Sequence, residues 1–175
     1  MSIKSRIRTI PDYPAPGIQF RDITTLLQDS VGLRIVVEKL CEPFEGVRVD
    51  KVAGIEARGF ILGGAVACRL GAGFVPVRKK GKLPWTTIGQ DYVLEYGSDR
   101  VEMHTDAILE GETILIVDDL VATGGTAAAT IDLINQIRGK IVGCSCIVDL
   151  PDLGGSRLLR ERGVEFRSLC EFEGE

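Results

Sequence analysis

The sequence has one histidine, few aromatic residues (6%) and no apolar run that reaches a bilayer-spanning length without Gly or a charge. A membrane span is therefore not expected. The basic residues of Ser2–Arg6 have no apolar stretch behind them, so no export signal is expected either, and the chain reads as cytoplasmic. Five cysteines are present without paired metal spacing. Zinc at Cys144 and Cys146 would need two more ligands, and the only imidazole is His104, which reads as structural or surface. The cysteines read as reduced, buried small residues. An excess of basic charge is also missing, since 21 Lys and Arg against 25 Asp and Glu give a net −4. Binding to duplex nucleic acid by bulk phosphate neutralisation is disfavoured, but a local basic site for a small phosphorylated ligand is not. The P-loop pattern Gly-x-x-x-x-Gly-Lys-[Ser/Thr] is absent, and no Gly-x-Gly-x-x-Gly follows a strand, which argues against a P-loop NTPase and a dinucleotide fold.

What is present is a globular composition, 45% hydrophobic and 26% charged over 175 residues, with 21 glycines. Pro11, Pro14, Pro16 and Gly17 predict an irregular arm over 3–29. Ser30 is a candidate cap for a helix from Val31 to about Phe44, with Leu33, Val36, Val37 and Leu40 on one face. Strands are predicted at Lys51–Ile55, Phe74–Arg78, Thr113–Val117, Ile141–Val148 and Val164–Leu169. Helices are predicted from Gly59 to Leu70, from about Thr126 to Ile137 and over Ser156–Arg162. Residues 79–101 read as a long loop or loose hairpin, and loops of that size are usually functional lids. Strands alternating with helices imply one α/β domain over 1–175, built on a mostly parallel twisted sheet flanked by helices.

The richest segment is Ile114-Leu115-Ile116-Val117-Asp118-Asp119-Leu120-Val121-Ala122-Thr123-Gly124-Gly125-Thr126. An apolar strand is expected to end in two acids at the carboxyl edge of the sheet, where open α/β folds bind ligands. The turn then feeds a helix whose N–H groups and dipole suit an anion, with Thr123 and Thr126 as hydroxyl donors. Phosphate on the turn and carboxylates just upstream together suit a 5-phosphorylated ribose. Asp118 and Asp119 would accept hydrogen bonds from its 2- and 3-hydroxyls. A plain acidic turn with a helix cap is the structural alternative.

This segment resembles the phosphoribosyl-diphosphate motif of type I phosphoribosyltransferases. Pro16–Ile23, Glu56–Phe60, Arg78–Pro84 and Tyr92–Gly97 further resemble the adenine phosphoribosyltransferase family, in that family's order and across about residues 6–150. The resemblance implies the type I fold with a small N-terminal hood (1–29) contributing to the base pocket and a flexible catalytic loop (79–101). It implies conversion of adenine and phosphoribosyl diphosphate to AMP and pyrophosphate in purine salvage, and a homodimer. Magnesium would be held mainly by the substrate, with no dedicated protein site. Asp118, Asp119, Ala122, Thr123, Gly124, Gly125 and Thr126 would bind the ribosyl phosphate. Glu56, Ala57 and Arg58 would form the pyrophosphate loop, often with a cis non-proline peptide in this family, and Arg58 would act in catalysis. Lys79 and Lys82, ahead of Lys80, would reach pyrophosphate, although charge runs are commonly solvated faces. Phe20 would stack on adenine while the backbones of Gln19 and Arg21 read its edge. Glu95 would take the adenine N7 proton, and Tyr96 would pack over the site. Arg58 paired with a neighbouring acid and Glu95 as a solvated loop acid are the structural alternatives. A transferase for xanthine or orotate, and a non-catalytic ligand sensor, are the competing functions.

Overall fold

The computed structural model describes residues 2–94 and 97–174. A seven-stranded sheet has β3 (Lys51–Ile55) and β7 (Thr113–Val121) at its centre. To one side lie β8 (Lys140–Asp149) and β9 (Phe166–Glu171), and to the other β4 (Gly73–Lys79). These five strands are parallel. β5 (Thr87–Leu94) and β6 (Gly97–His104) complete the sheet as an antiparallel edge, with β6 against β4. The sheet is thus mostly parallel, as the alternation of strands and helices implied.

Central strands are apolar because helices cover both faces. Leu115, Val117 and Val52 pack with Val36 and Leu40 of α2 (Ser30–Cys41) and Leu62 and Val66 of α3 (Arg58–Leu70). Ile114, Ile116 and Ala53 pack on the other side with Ala127, Ile131 and Ile134 of α4 (Gly125–Gln136) and Leu159 of α5 (Gly155–Glu161). Cys144 and Cys146 lie together in this second core, one strand pleat apart, as read. Cys41 is also buried and Cys170 half-buried, but Cys68 is exposed, contrary to expectation.

Two sequence expectations change, and one open alternative is decided in favour of a hairpin. The arm is not irregular: β1 (Arg8–Pro11) and β2 (Gln19–Asp22) form an antiparallel hairpin, followed by the single turn α1 (Thr24–Leu27). The prolines sit at its tip and strand end, where a missing N–H is tolerated. The cap of α2 is Asp29, not Ser30: its carboxylate accepts from the N–H groups of Val31 and Gly32. That helix ends at Cys41, and Glu42–Phe44 is a separate 3-10 turn holding Pro43. Residues 79–101 are largely two strands, paired from Thr87↔His104 to Leu94↔Gly97. Tyr92 and Val101 carry this hairpin into the core, so its polar surface hid a regular sheet edge.

Candidate functional site

Asp118 and Asp119 are still inside β7, which runs on to Val121. Both are buried. Burial, then the neighbouring charge of Asp119, push the Asp118 carboxyl well above the usual carboxylate range. The Asp119 N–H donates to Asp118 Oδ1 at 2.8 Å. Asp119 Oδ2 accepts from Arg58 Nε, the first residue of α3. The approach of α3 to the acids requires Gly59: a Cβ there would meet Asp118 Oδ1 at 2.9 Å and Val117 O at 3.1 Å.

After β7 the chain turns through Ala122–Gly124 into α4. Gly124 has φ +79°, the left-handed conformation that side chains disfavour. A Cβ on it would also meet the Gly155 Cα at 2.9 Å. Gly155 donates to Ala122 O at 3.0 Å, so α5 braces the turn from behind. The first N–H groups of α4 then face a cleft of about 120 Å³ lined by Asp118, Leu120–Ala122 and Thr123–Ala127.

A second cavity, about 290 Å³, is lined by Ile55, Glu56, Ala57, Arg58, Lys79, Asp118, Asp119 and Thr126. The Glu56–Ala57 peptide is cis. Lys79 faces this cavity while its amine bonds Asp99 and the Tyr92 hydroxyl. Desolvation works against the charged amine, but those two partners outweigh it and hold Lys79 above its ordinary range. Lys82 does not line the cavity: it donates to Glu56 Oε1 at 2.7 Å, and Arg78 Nε donates to Glu56 Oε2 at 3.2 Å. Burial would raise the Glu56 carboxyl, yet bonds from Lys82, the Lys79 N–H and Arg78 hold it below its usual range. Lys80 lines a separate charged cleft with Asp91, Asp99 and Arg100 on the hairpin edge.

A third cavity, about 510 Å³, is walled by Ile18, Gln19, Phe20, Arg21, Arg58, Val93, Leu120, Ala122, Thr123, Leu150 and Leu153. Phe20 packs edge-on against Tyr13, centroids 5.2 Å apart, and the Arg58 guanidinium lies 5.6 Å from its ring. The Arg21 guanidinium bonds Thr9 Oγ1 at 2.7 Å and lies against Phe172, so its side chain is committed elsewhere.

The three cavities share walls. Arg58 joins the apolar one to the polar one, Asp118 and Thr126 join the polar one to the turn, and Ala122 and Thr123 join the turn to the apolar one. The arrangement accepts a flat apolar group, a polyol with phosphate and a second multiply charged group side by side. Sequence reading missed Leu120, Leu150, Leu153 and Val93 as cavity walls, and Tyr92 and Asp99 as partners of Lys79. An apolar residue at a strand end carries no signal of its own. Only the β5–β6 register would have placed Asp99 opposite Tyr92. Glu95 and Tyr96 lie outside the described residues.

Residues 37–169 match the family described as phosphoribosyl transferase domain. A protein from Methylobacillus flagellatus named adenine phosphoribosyltransferase is 63% identical over 173 residues, covering 99% of this chain and 98% of that protein. The crystal structure of adenine phosphoribosyltransferase from Rhodothermus marinus is 51% identical, with a TM-score of 0.90 over 97% of this chain and 96% of that one. The Saccharomyces cerevisiae adenine phosphoribosyltransferase complexed with an imino-altritol bisphosphate and adenine is 34% identical, with a TM-score of 0.89 over 96% of each chain.

Proposed function

This chain belongs to the phosphoribosyl transferase domain family, in its adenine phosphoribosyltransferase branch, and we propose that it joins adenine to the 5-phosphoribosyl group of phosphoribosyl diphosphate. AMP and pyrophosphate are the products, as purine salvage requires. The supporting observation is the set of three adjoining cavities, one for each part of that reacting pair: base, ribosyl phosphate and pyrophosphate.

The Ala122–Thr126 turn holds the 5-phosphate through α4 N–H groups and the hydroxyls of Thr123 and Thr126. Asp118 and Asp119 accept from the ribose hydroxyls. Arg58 turns from Asp119 toward pyrophosphate, where its fork is bidentate. Lys79 exchanges Asp99 for a pyrophosphate oxygen. Glu56 and Ala57 line the same cavity. Lys82 reaches ligand only by leaving Glu56. Phe20 stacks on adenine, and the Gln19 and Arg21 backbones bond its edge. A mismatched base edge would leave a buried group unpaired, which gives selectivity.

Adenine N9 attacks the ribosyl carbon, the bond to pyrophosphate oxygen breaks with its electron pair, and configuration inverts. The N7 proton passes to Glu95, a step worth about 10²–10⁴-fold. Val93, two residues before it, lines the base cavity, which supports that assignment. Tyr96 closes over the site and keeps water from the developing oxocarbenium.

Asp118 and Asp119 present oxygen donors suited to magnesium, but no group of three or more His, Cys, Asp or Glu among the described residues forms a cage. They would therefore meet the ion alongside substrate oxygens and waters, where it would neutralise charge on the departing pyrophosphate. Five free thiols suit a reducing cytoplasm, and no helix among the described residues is long and apolar enough to cross a membrane. A second copy of the chain is the proposed partner: Ile61 on α3 and Phe74 on β4 are exposed large apolar residues, and Phe74 packs edge-on with Phe60. Nucleic acid is not a partner on this reading.

Incubating the protein with phosphoribosyl diphosphate, magnesium and each base in turn, while following pyrophosphate release, tests the function. Adenine alone should support turnover. Preference for xanthine or orotate, or binding without release, would overturn it.

A further inference from the structure

We infer that Phe172 is a positioning residue for the base: by clamping Arg21 it sets the distance between the two walls of the apolar cavity. This rests on the function proposed above.

On one wall, Phe20 and Arg21 are neighbours on β2, and strand alternation sends their side chains to opposite sides. Phe20 goes toward Arg58 and the cavity. The Arg21 guanidinium lies 4.4 Å from the centroid of the Phe172 ring, with NH2 donating to the Glu173 carbonyl at 3.5 Å. Phe172 is itself held. It is 8% exposed, packs in the α2–α3 core and carries Lys4 Nζ at 4.6 Å from its ring.

The other wall is Leu150 and Leu153. The same short segment grips it from both ends. The Phe172 N–H donates to the Asp149 carbonyl at 3.1 Å, and the Gly174 N–H donates to Asp152 Oδ2 at 2.8 Å. Residues 172–174 therefore bridge the hairpin that carries Phe20 and the turn that carries Leu150 and Leu153. A base stacked on Phe20 lies in the gap that this bridge spans.

The clamp leaves one donor nitrogen of Arg21 unused, while Thr9 Oγ1 and the Glu173 carbonyl accept from the others. Arg21 Nε is buried without a hydrogen-bond partner among the described residues, an arrangement that costs free energy. The ring face of Phe172 holds the guanidinium there all the same.

The test separates the ring's π face from its bulk. Phe172→Leu keeps apolar volume and removes the face, and Phe172→Trp keeps a face. In steady-state assays with adenine and phosphoribosyl diphosphate, Phe172→Leu should raise the KM for adenine about 3- to 20-fold, the range of a partly desolvated cation–π contact. The KM for phosphoribosyl diphosphate and kcat should change less than about twofold, and Phe172→Trp should restore the adenine KM. A merely structural role predicts a lower Tm and less active protein with both KM values unchanged. Arg21→Gln should reproduce the adenine effect, and the double variant should be no worse than either single one, because the two act as a unit. That variant also carries the test if Phe172→Leu folds poorly. Unchanged adenine KM in Phe172→Leu or Arg21→Gln, in a wild type that makes AMP, would overturn this inference alone. A wild type that makes no AMP would overturn the proposed function and this inference with it.

Discussion

Replacing Gly124 by Ala asks whether the turn before α4 is built for a phosphate. Two costs can be read from the geometry. A side chain at φ +79° takes on the left-handed conformation, about 1–2 kcal/mol. Its Cβ would also sit 2.9 Å from the Gly155 Cα and 3.1 Å from its carbonyl oxygen, both backbone atoms. Overpacking of that kind costs about 1–3 kcal/mol. Together they come to about 2–5 kcal/mol, which lowers the Tm of a chain this long by roughly 4–20 °C. The functional effect is separate. On the proposed function the turn would bind through N–H groups whose direction is fixed by the backbone, and one misdirected bond to a charged oxygen is worth about 1.5–3 kcal/mol. That corresponds to an AMP affinity roughly 10- to 150-fold weaker. Thermal melts and calorimetric AMP titrations at equal protein concentration measure both. A wild-type Tm would refute the account of the turn's packing. A lowered Tm with unchanged AMP affinity would refute its role as the phosphate site.

Asp118→Asn and Asp119→Asn should each raise the KM for phosphoribosyl diphosphate at least tenfold, the order of a lost bond to a charged group, and leave that for adenine nearly constant. Equal effects on both substrates would remove the acids from the ribose. Asp22 tests a pH dependence. Bonds from Thr24 and Arg8 lower its carboxyl from 3.8 to about 2, so its stabilisation is complete above the unfolded value and is lost as pH falls through about 2. In urea melts, Asp22→Asn should cost about 1.5–3 kcal/mol near neutrality, the range for hydrogen bonds to a charged group, and the gap from wild type should close toward pH 2. A gap that stays constant with pH would deny the charge a role. Glu95→Gln should slow a single turnover about 10²-fold or more with little change in ground-state binding. A wild-type rate would assign the N7 proton to another acceptor.

How far the sequence could be read depended on the range of the forces involved. β3 is predicted residue for residue and the start of α4 to within one position, because a short apolar strand and a glycine-led helix start are local signals. Asp29 took the cap expected of Ser30, because the helix begins one residue earlier than read and Ser30 is its first residue. Residues 79–101 were ambiguous for a different reason. Their hairpin lies at a sheet edge, where one side is solvated and polar residues dominate, and Arg100 crosses over Gly89 to reach Asp91. The turn and the acids could be placed together because they are contiguous in sequence at the end of one apolar strand. The base cavity could be read only on the Phe20 side. Its other wall, Leu150 and Leu153, comes from more than 120 residues along the chain and uses ordinary apolar side chains.

Arg58, Lys79 and Lys82, the cations proposed for pyrophosphate, are each engaged with an acid, as is neighbouring Arg78. Arg58 holds Asp119, Lys79 holds Asp99, and Lys82 and Arg78 share Glu56. Binding a polyanion here is therefore an exchange of partners and not the filling of a bare positive pocket. The exchange is favourable only if each released acid has another use. On the proposed function Asp119 would have one, because the ribose hydroxyls would arrive with the phosphate that draws Arg58 away. Asp99 keeps the Tyr92 hydroxyl at 3.1 Å as a donor. Glu56 keeps the Lys79 N–H at 3.0 Å. This also accounts for a basic run beside an acidic chain: the free site is close to neutral, which limits non-specific attraction of nucleic acid and other phosphates. On the proposed function, selectivity would come from which ligand can satisfy the displaced acids as well as the freed cations. Inorganic pyrophosphate would supply only the second half of that exchange, whereas phosphoribosyl diphosphate would supply both.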